Sequence, residues 1–386
     1  MPASGLLEVV RAVTSGGGAE PTPLSRPLRV VWIAPRNPLP ETDTFRIERV
    51  SSNVYDLVLW EVDFIREVLA PFDVAYSHVE HPSQLEPCHI VVYSRNQYKR
   101  KDISRGLRRA SPTIVFHLSD EYGRDVAWIR FLKDYPLVLR QYNIDSYPYH
   151  RNIKPIPLGY MVGMIEGPST TTEIMEALVD RERQYAWSFV GGLKKGKRGA
   201  VLKTFDEIGP HFTGALHPAE MAEVYRNSSF VLCPAGDFNI LCFRNFEASI
   251  CGAIPVVGGT TRERYLEATE PLGDPPWIFH ESWKDGLEEV RALLADEPAL
   301  RARRMKVLAW WAAELDRTRN RIGSTLGASR ASAGRSRWSD VFAERLSRLR
   351  RGRAARRGRQ PKLPHGQPRR PESLPEKETF LRLSSR

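Results

Sequence analysis

Arg244 and Glu247, three residues apart, carry the strongest chemical signal in this chain of 386 residues. They lie within Phe230–Gly259, which reads FVLCPAGDFNILCFRNFEASICGAIPVVGG. A continuous apolar run delivers the chain into a Cys-Pro-Ala-Gly turn ending at Gly236. A loop over Asp237–Leu241 follows, and a helix then carries both residues. At this spacing they share one helix face near its N-terminal end. An arginine beside the backbone N–H groups of a helix start suits a diphosphate, since guanidinium and amides can donate to the phosphate oxygens together. A carboxylate one turn later can accept hydrogen bonds from ribose or sugar hydroxyls. The same spacing also fits a plain surface ion pair.

A second candidate is Gly191–Arg198, GGLKKGKR, which follows a strand and opens a helix. Backbone amides at Gly191 and Gly192, with Lys194, Lys197 and Arg198, would cradle a phosphate. The spacing reads GxxxxGK, but Arg198 stands where a P-loop needs Ser or Thr to hold magnesium, which argues against a kinase. A solvated basic helix start is the plain alternative. In the first half, Asp120 and Glu121 sit just past an apolar strand, and Arg140 and Tyr142 end the next one. Ser119 or Asp120 would equally serve as the N-cap of a helix beginning near Gly123. No D-x-D, HExxH or GxSxG occurs, Glu41-Thr42-Asp43 being the nearest approach to the first, and no metal is expected.

These residues need strands to end beside them and helices to begin there. Leu28–Ala34 is an unbroken apolar run, the mark of a strand buried on both faces of a parallel sheet. A helix-period stretch at Val54–Leu69 follows. Next come strands at Val74–Val79, His89–Ser94, Thr113–Leu118, Leu137–Tyr142 and Ile153–Tyr160, with helices at Gln97–Arg109 and Val126–Leu132 between them. Gly163–Glu182 lacks strand character and reads as a connection. The alternation then restarts with strands at Tyr185–Val190, His211–Thr213, Phe230–Cys233, Ile254–Val257 and Trp277–His280. Helices at Lys194–Ile208, Pro218–Arg226 and Phe243–Cys251 lie between, and Trp283–Ala295 and Pro298–Arg319 close the body. Alternation of this kind predicts an α/β protein of two Rossmann-like parallel-sheet domains facing a cleft. The expected divisions are a flexible N-terminus at 1–27, a first domain at 28–165, a connection at 166–184, a second domain at 185–325 and a basic tail at 326–386. Ligands of such sheets bind at the carboxyl ends of the strands.

The pattern S-x-F-x-L-C-P-x-G…R-x-x-E-A…G-x-I-P-V, from Ser228 to Val256, resembles the exostosin-type glycosyltransferases of family 47. The ribitol-xylosyltransferase-like branch is the nearer likeness. FHLSDE at Phe116–Glu121, VLRQY at Val138–Tyr142 and IPLGY at Ile156–Tyr160 extend it over roughly residues 110–260, in the family's order. The resemblance implies a GT-B architecture, an inverting mechanism and a UDP-sugar donor held by the C-terminal half, with a glycan or other hydroxyl compound as acceptor. It implies that Arg244 faces the diphosphate and that Glu247 is the nucleotide-sugar carboxylate. The Gly191–Arg198 turn and Gly236 then belong to the donor side, and Arg140 and Tyr142 to the acceptor side. An inverting transfer needs one base to take the acceptor proton, for which Asp120, and after it Glu121, is the candidate. The chain departs from the family in the loop Asp237–Phe243, where many exostosins place Ser or Thr before the arginine. It also lacks the membrane anchor usual for Golgi members.

Composition sets the remaining bounds. With 41% hydrophobic and 27% charged residues the chain is an ordinary globular one. Its net charge of +11 points to a polyanion partner only until it is divided. Residues 330–386 hold 17 Lys/Arg and 5 Asp/Glu, a net of +12, which leaves 40 and 41, a net of −1, for residues 1–329. The arginine run at Arg345–Arg359 and the Pro-rich stretch after it predict a basic, disordered C-terminal tail with at most a short helix at Trp338–Leu349. Such a tail can meet nucleic acid or an anionic membrane, and a catalytically silent body with that tail is the alternative function. The four cysteines read as buried reduced thiols, being too few for a disulfide scaffold and lacking zinc-ligand spacing. No apolar run reaches the roughly 18 residues of a membrane span, and Met1–Pro27 is a poor signal peptide. A soluble, cytoplasmic protein is expected; a Golgi enzyme would require an anchor ahead of the sequence as written.

Overall fold

The computed structural model describes residues 27–34, 60–94, 98–121, 129–142, 151–192, 198–235 and 239–333. Gly236, Lys194, Lys197, the expected N-terminal segment up to residue 26 and the expected tail beyond Ala333, with its short helix, lie outside these residues, while residues 326–333 continue a helix.

The unbroken apolar runs become inner strands. β1 (Leu28–Ile33), β2 (Val74–Val79), β3 (Ile90–Ser94), β4 (Ile114–Leu118), β5 (Leu137–Arg140) and β6 (Ile153–Pro155) form one sheet, ordered β2-β1-β3-β4-β5-β6. β7 (Tyr185–Val190), β8 (His211–Gly214), β9 (Ser228–Leu232), β10 (Ile254–Gly258) and β11 (Ile278–His280) form another, ordered β11-β10-β9-β7-β8. Neighbouring strands pair in parallel throughout both sheets as described. β3, β4, β5, β9 and β10 are buried at every position, whereas the edge strands β2 and β8 are partly exposed along their length. Continuous hydrophobicity thus marks the strands covered on both faces.

Counted from its own first strand, each sheet begins in the order 2-1-3-4-5. The winding direction reverses between β1 and β3 in the first sheet and between β7 and β9 in the second. Doubly wound sheets open a crevice at such a reversal, outside the carboxyl ends of the strands. The two-sheet α/β architecture expected from the alternation is therefore the one observed, and it sets two switch points as places to look for a site.

The helices are α1 (Val62–Leu69), α2 (Arg100–Ala110), α3 (Thr172–Asp180), α4 (Arg198–Phe205), α5 (Pro218–Arg226), α6 (Phe243–Ile250), α7 (Arg262–Thr269), α8 (Trp283–Leu294) and α9 (Glu297–Ala333). α3 occupies the stretch read from sequence as connection. Thr171 caps it, accepting from the Ile174 N–H at 3.3 Å, and Met175, Leu178 and Val179 pack on Met305, Leu308 and Ala312 of α9. α7, absent from the sequence reading, is capped in the same way by Thr261. α9 runs past the expected end at Arg319. Ile322 and Leu326 stay buried, Arg319 donates to the Glu67 carbonyl at 2.9 Å, and Arg321 donates to the Pro155 carbonyl at 2.9 Å. One helix thus serves both sheets, burying a single face from Leu300 through Trp311 and Thr318 to Ile322 and Leu326. No helix among the described residues is long and apolar enough to cross a membrane.

The two sheets are tied together at Glu67 of α1. Its buried carboxylate accepts from the Tyr160 hydroxyl at 2.9 Å and from both the N–H and the hydroxyl of Ser169 at 2.6 Å. Trp311 of α9 donates to the same Ser169 hydroxyl at 3.2 Å. Phe64 fills the space beside them, 6.1 Å from Tyr160 and 5.9 Å from Trp311 between ring centroids. Gly159 permits that packing, because a Cβ there would lie 2.3 Å from the Phe64 ring and its φ of +80° is one that side chains disfavour. Gly159→Ala should destabilise the fold by about 3 kcal/mol, combining overpacking with backbone strain. Denaturant titration checks this, and a midpoint like that of the parent chain would contradict it.

Candidate functional site

At the switch point of the second sheet the carboxyl ends of β7 and β9 meet the start of α6. Arg244, the second residue of α6, donates through Nε to the Val190 carbonyl at 2.8 Å. Its Nη1 donates to the Cys242 sulfur at 3.6 Å, and its guanidinium carbon lies 4.6 Å from the centre of the Phe189 ring. The far side of the guanidinium rests on Gly191, where a Cβ would come within 2.9 Å of Nη2 and where φ is +143°. Glycine is needed there on both counts. The Gly191 N–H donates to the Gly214 carbonyl at 2.8 Å, so that amide extends the sheet instead of pointing at a ligand. Arg198, at the start of α4, reaches back to the Gly192 carbonyl at 3.0 Å.

Glu247 follows one turn along α6 and is 2% exposed. It faces the backbone of Met161, beyond β6, and its Oε1 has no hydrogen-bond partner. Burial pushes its carboxyl up to about 8, although the Arg244 charge pulls the other way. The hydroxyl of Tyr225 and Nδ2 of Asn245 are likewise buried and unpartnered. Three polar atoms on two adjacent helices, each costly to bury unpaired, mark a place built for polar company.

The first sheet supplies the opposite wall. Asp120 lies just past β4 and is buried; Arg140, the last residue of β5, donates to its Oδ2 at 2.8 Å. Arg140 also donates to the Tyr142 carbonyl. Ser119 and Tyr142, each just past the end of its strand, hold φ values of +60° and +57°. Such left-handed backbone in residues other than glycine costs roughly 1 kcal/mol or more and gathers at functional sites. Glu121 is half-exposed at the edge of this group.

Sequence reasoning passed over Glu61. It precedes α1 directly, is wholly buried, and accepts through Oε1 from the Ser119 hydroxyl at 3.2 Å. Gln141 lies beside it, its own amide oriented by the Ser119 N–H at 2.9 Å and the Leu158 carbonyl at 2.8 Å. Oε2 of Glu61 has no partner. Burial pushes the carboxyl up to about 8, with the bonds from Gln141 and Ser119 opposing it. The neighbouring Trp60 carries the first sheet's side to the second. Its ring centre is 5.5 Å from that of Phe243, the residue before Arg244, and its carbonyl accepts from the Val162 N–H at 2.8 Å.

The fold therefore gathers Arg244, Glu247, Gly191 and Arg198 at one switch point, and Asp120, Glu121, Arg140 and Tyr142 at the ends of β4 and β5 with Glu61 among them. Two buried carboxyls, each with an unpartnered oxygen, come from opposite sheets to the junction at Trp60 and Phe243. Among the described residues no group of three or more His, Cys, Asp or Glu side chains is placed to hold a metal ion.

No family model and no curated protein matches the chain. Among solved structures it is similar to an alpha-glucosyltransferase in complex with UDP and a 13-mer DNA, at 10% identity and a TM-score of 0.42, over 74% of this chain and 95% of that one. It is similar to HepE of Anabaena in complex with UDP and glucose, at 9% identity and a TM-score of 0.42, over 78% and 100% of the two chains. The O-GlcNAc transferase of Thermobaculum terrenum is a third, at 8% identity and a TM-score of 0.40, over 84% and 72%.

Proposed function

We propose that this chain is an inverting, metal-independent glycosyltransferase of the exostosin type, moving a sugar from a uridine-diphosphate donor to a glycan or other hydroxyl acceptor. The observation that carries the reading is the start of α6. Arg244 is braced there at the switch point of the second sheet, with the unpartnered carboxylate oxygen of Glu247 one turn behind it. In this reading residues 185–325 hold the donor, residues 28–165 the acceptor, and residues 166–184 connect them. Arg244 donates to the diphosphate, joined by Arg198, Lys194 and Lys197 and by the turns at Gly192 and Gly236, while Gly191 leaves room for its guanidinium. Glu247 accepts from ribose or sugar hydroxyls.

The reaction joins the acceptor oxygen to the anomeric carbon as the bond from that carbon to the diphosphate breaks. The diphosphate leaves with the bonding electrons, and cations already in place stabilise the charge it gains. A carboxylate on the opposite wall takes the acceptor proton. Asp120 and Glu121 are the carboxylates expected from sequence. Asp120 is already engaged by Arg140 in a buried ion pair at 2.8 Å that joins the ends of β4 and β5. We therefore give the proton to Glu61, and to Asp120 and Arg140 the task of holding the ends of β4 and β5. Arg140 and Tyr142 flank the acceptor.

Calorimetric titration of the full chain with UDP, GDP and ADP tests the donor assignment. UDP is expected to bind with a Kd in the micromolar range, about 10-fold or more tighter than the other two. No binding heat from any of the three would overturn it and favour the binding-protein reading.

A further inference from the structure

The outer face of the first sheet carries a band of cations on α2. The apolar side of that helix is Ile103, Leu107 and Ala110, which pack with Val31, Val91 and Val115 of the sheet. α1 packs Phe64, Ile65 and Val68 with the alternate residues of the same strands, Val30, Val92 and Phe116. α2 therefore lies on the side of the sheet turned away from α1 and the second sheet. It is seated closely, since a Cβ on Gly106 would come within 2.4 Å of the Pro82 carbonyl oxygen. Lys101, Arg105, Arg108 and Arg109 are exposed on its other side, and Lys99, just ahead of the helix, is exposed too. Lys101, Arg105 and Arg109 are spaced four apart with Arg108 beside them, one band over two turns and roughly 12 Å long.

The band works against the helix that carries it. Cations three and four residues apart repel one another, and a lysine in the first turn opposes the helix dipole. On α8 and α9 the arginines meet carboxylates: Arg291 with Glu288 at 2.8 Å, Arg301 with Asp180 at 2.6 Å and Arg303 with Glu289 at 3.0 Å. Among the described residues, none of Lys101, Arg105, Arg108 and Arg109 has a carboxylate within ion-pair distance. Asp102, the one acid in α2, sits in the first turn, and Glu86 is engaged by Arg29 at 3.6 Å. Two of the guanidiniums are held in place. Arg108 donates to the Ser104 hydroxyl at 2.8 Å and Arg109 to the Ser83 carbonyl at 2.6 Å, each through one of its five N–H donors. Residues 1–329 together carry a net charge of −1, so the band is a local arrangement and not the surface of a basic body.

We propose that this face of α2 docks on the anionic headgroup layer of a lipid bilayer. A layer of phosphate charge complements the band, and each Lys or Arg brought to such a leaflet strengthens binding roughly fivefold. The exposed positions of α2 hold no aromatic ring for a base to stack on and no Asn or Gln to read a base edge. A nucleic acid would find only its phosphates met there. They hold no apolar side chain either, so the contact is electrostatic, stays at the surface and weakens with salt. Because α2 faces away from the second sheet, docking leaves the switch point at β7 and β9 uncovered. The docking does not depend on the donor reading.

Co-sedimentation of the full chain with vesicles of phosphatidylcholine and phosphatidylglycerol in equal parts tests this, with phosphatidylcholine vesicles as the neutral reference. Binding to the mixed vesicles alone is expected. Lys101→Glu with Arg105→Glu should weaken it about 10-fold or more. Arg264→Glu with Lys284→Glu changes the net charge equally, at exposed positions on α7 and α8, and should weaken it about twofold at most. That comparison separates one face from the charge of the whole chain, its basic C-terminal residues included. Equal losses from the two pairs, parent-like binding by the first pair, or no binding by the parent would overturn the proposal. Duplex DNA is the second probe. A loss on DNA from the first pair as large as that on vesicles would assign the band to nucleic acid and overturn the membrane. The first pair should melt no lower than the parent, since Arg105→Glu meets Arg108 and Arg109 as opposite charges. If it melts lower, Lys101→Gln with Arg105→Gln decides: a loss of about fivefold or more is expected, and parent-like binding overturns the proposal.

Discussion

Arg244→Ala should lower the release of UDP from a UDP-sugar about 1000-fold, or ~4 kcal/mol of transition-state stabilisation. The size follows from where the cation sits. Its Nε is fixed by the Val190 carbonyl and its plane lies over Phe189, so little rearrangement is needed when the diphosphate gains charge. Truncation leaves the Val190 carbonyl and the Cys242 sulfur without their donor, a cost to folding of about 1–3 kcal/mol. Thermal melting separates that cost from the chemical one. Arg244→Lys keeps the charge but not the planar fork, and should recover only part of the rate. Parent-like turnover in a folded Arg244→Ala chain would remove this residue from the donor site.

The placement of Arg244 and Glu247 at the start of one helix was legible because it follows from local spacing. A strand, a turn and a helix in that order must present the first turn of the helix at the end of the strand, and residues three apart share its face. The strands were legible for the same reason: an unbroken run such as that in β4 can only be comfortable between two layers. α3 was within reach too, since Thr171 is an ordinary capping residue, but the Gly-Pro-Ser-Thr run before it masked the start. Glu61 was not. A carboxylate at the start of an amphipathic helix is usually a solvated favourable charge. Its burial depends on Ser119 and Gln141, which arrive from β4 and β5 and carry no mark of it in the sequence. The end of α9 lay within reach as well, since Ile322 and Leu326 continue the spacing of its buried face past Arg319.

Glu61→Gln should lower turnover about 100- to 1000-fold while leaving UDP affinity within about twofold, because it removes a proton acceptor and not a donor ligand. Its pH dependence distinguishes this from a structural role. The folded carboxyl titrates at about 8 against an ordinary 4.5, so folding favours its neutral form. The stability that results is fully present below pH 4.5 and is lost as pH rises through 8, by about 1.4 kcal/mol per unit. The amide stays neutral, so Glu61→Gln should lose less stability across that window than the parent does. Glu247 also titrates at about 8 and contributes its own slope, which Glu247→Gln alone would remove. Turnover runs the other way, since a base must be ionised. The parent rate should climb towards pH 8 as Glu61 ionises, and the residual rate of Glu61→Gln should lack that limb. A variant with the parent's rate and the same rising limb would return the proton to Asp120 or Glu121. One with a flattened stability slope and an unchanged rate would make Glu61 a buried acid that serves only the fold.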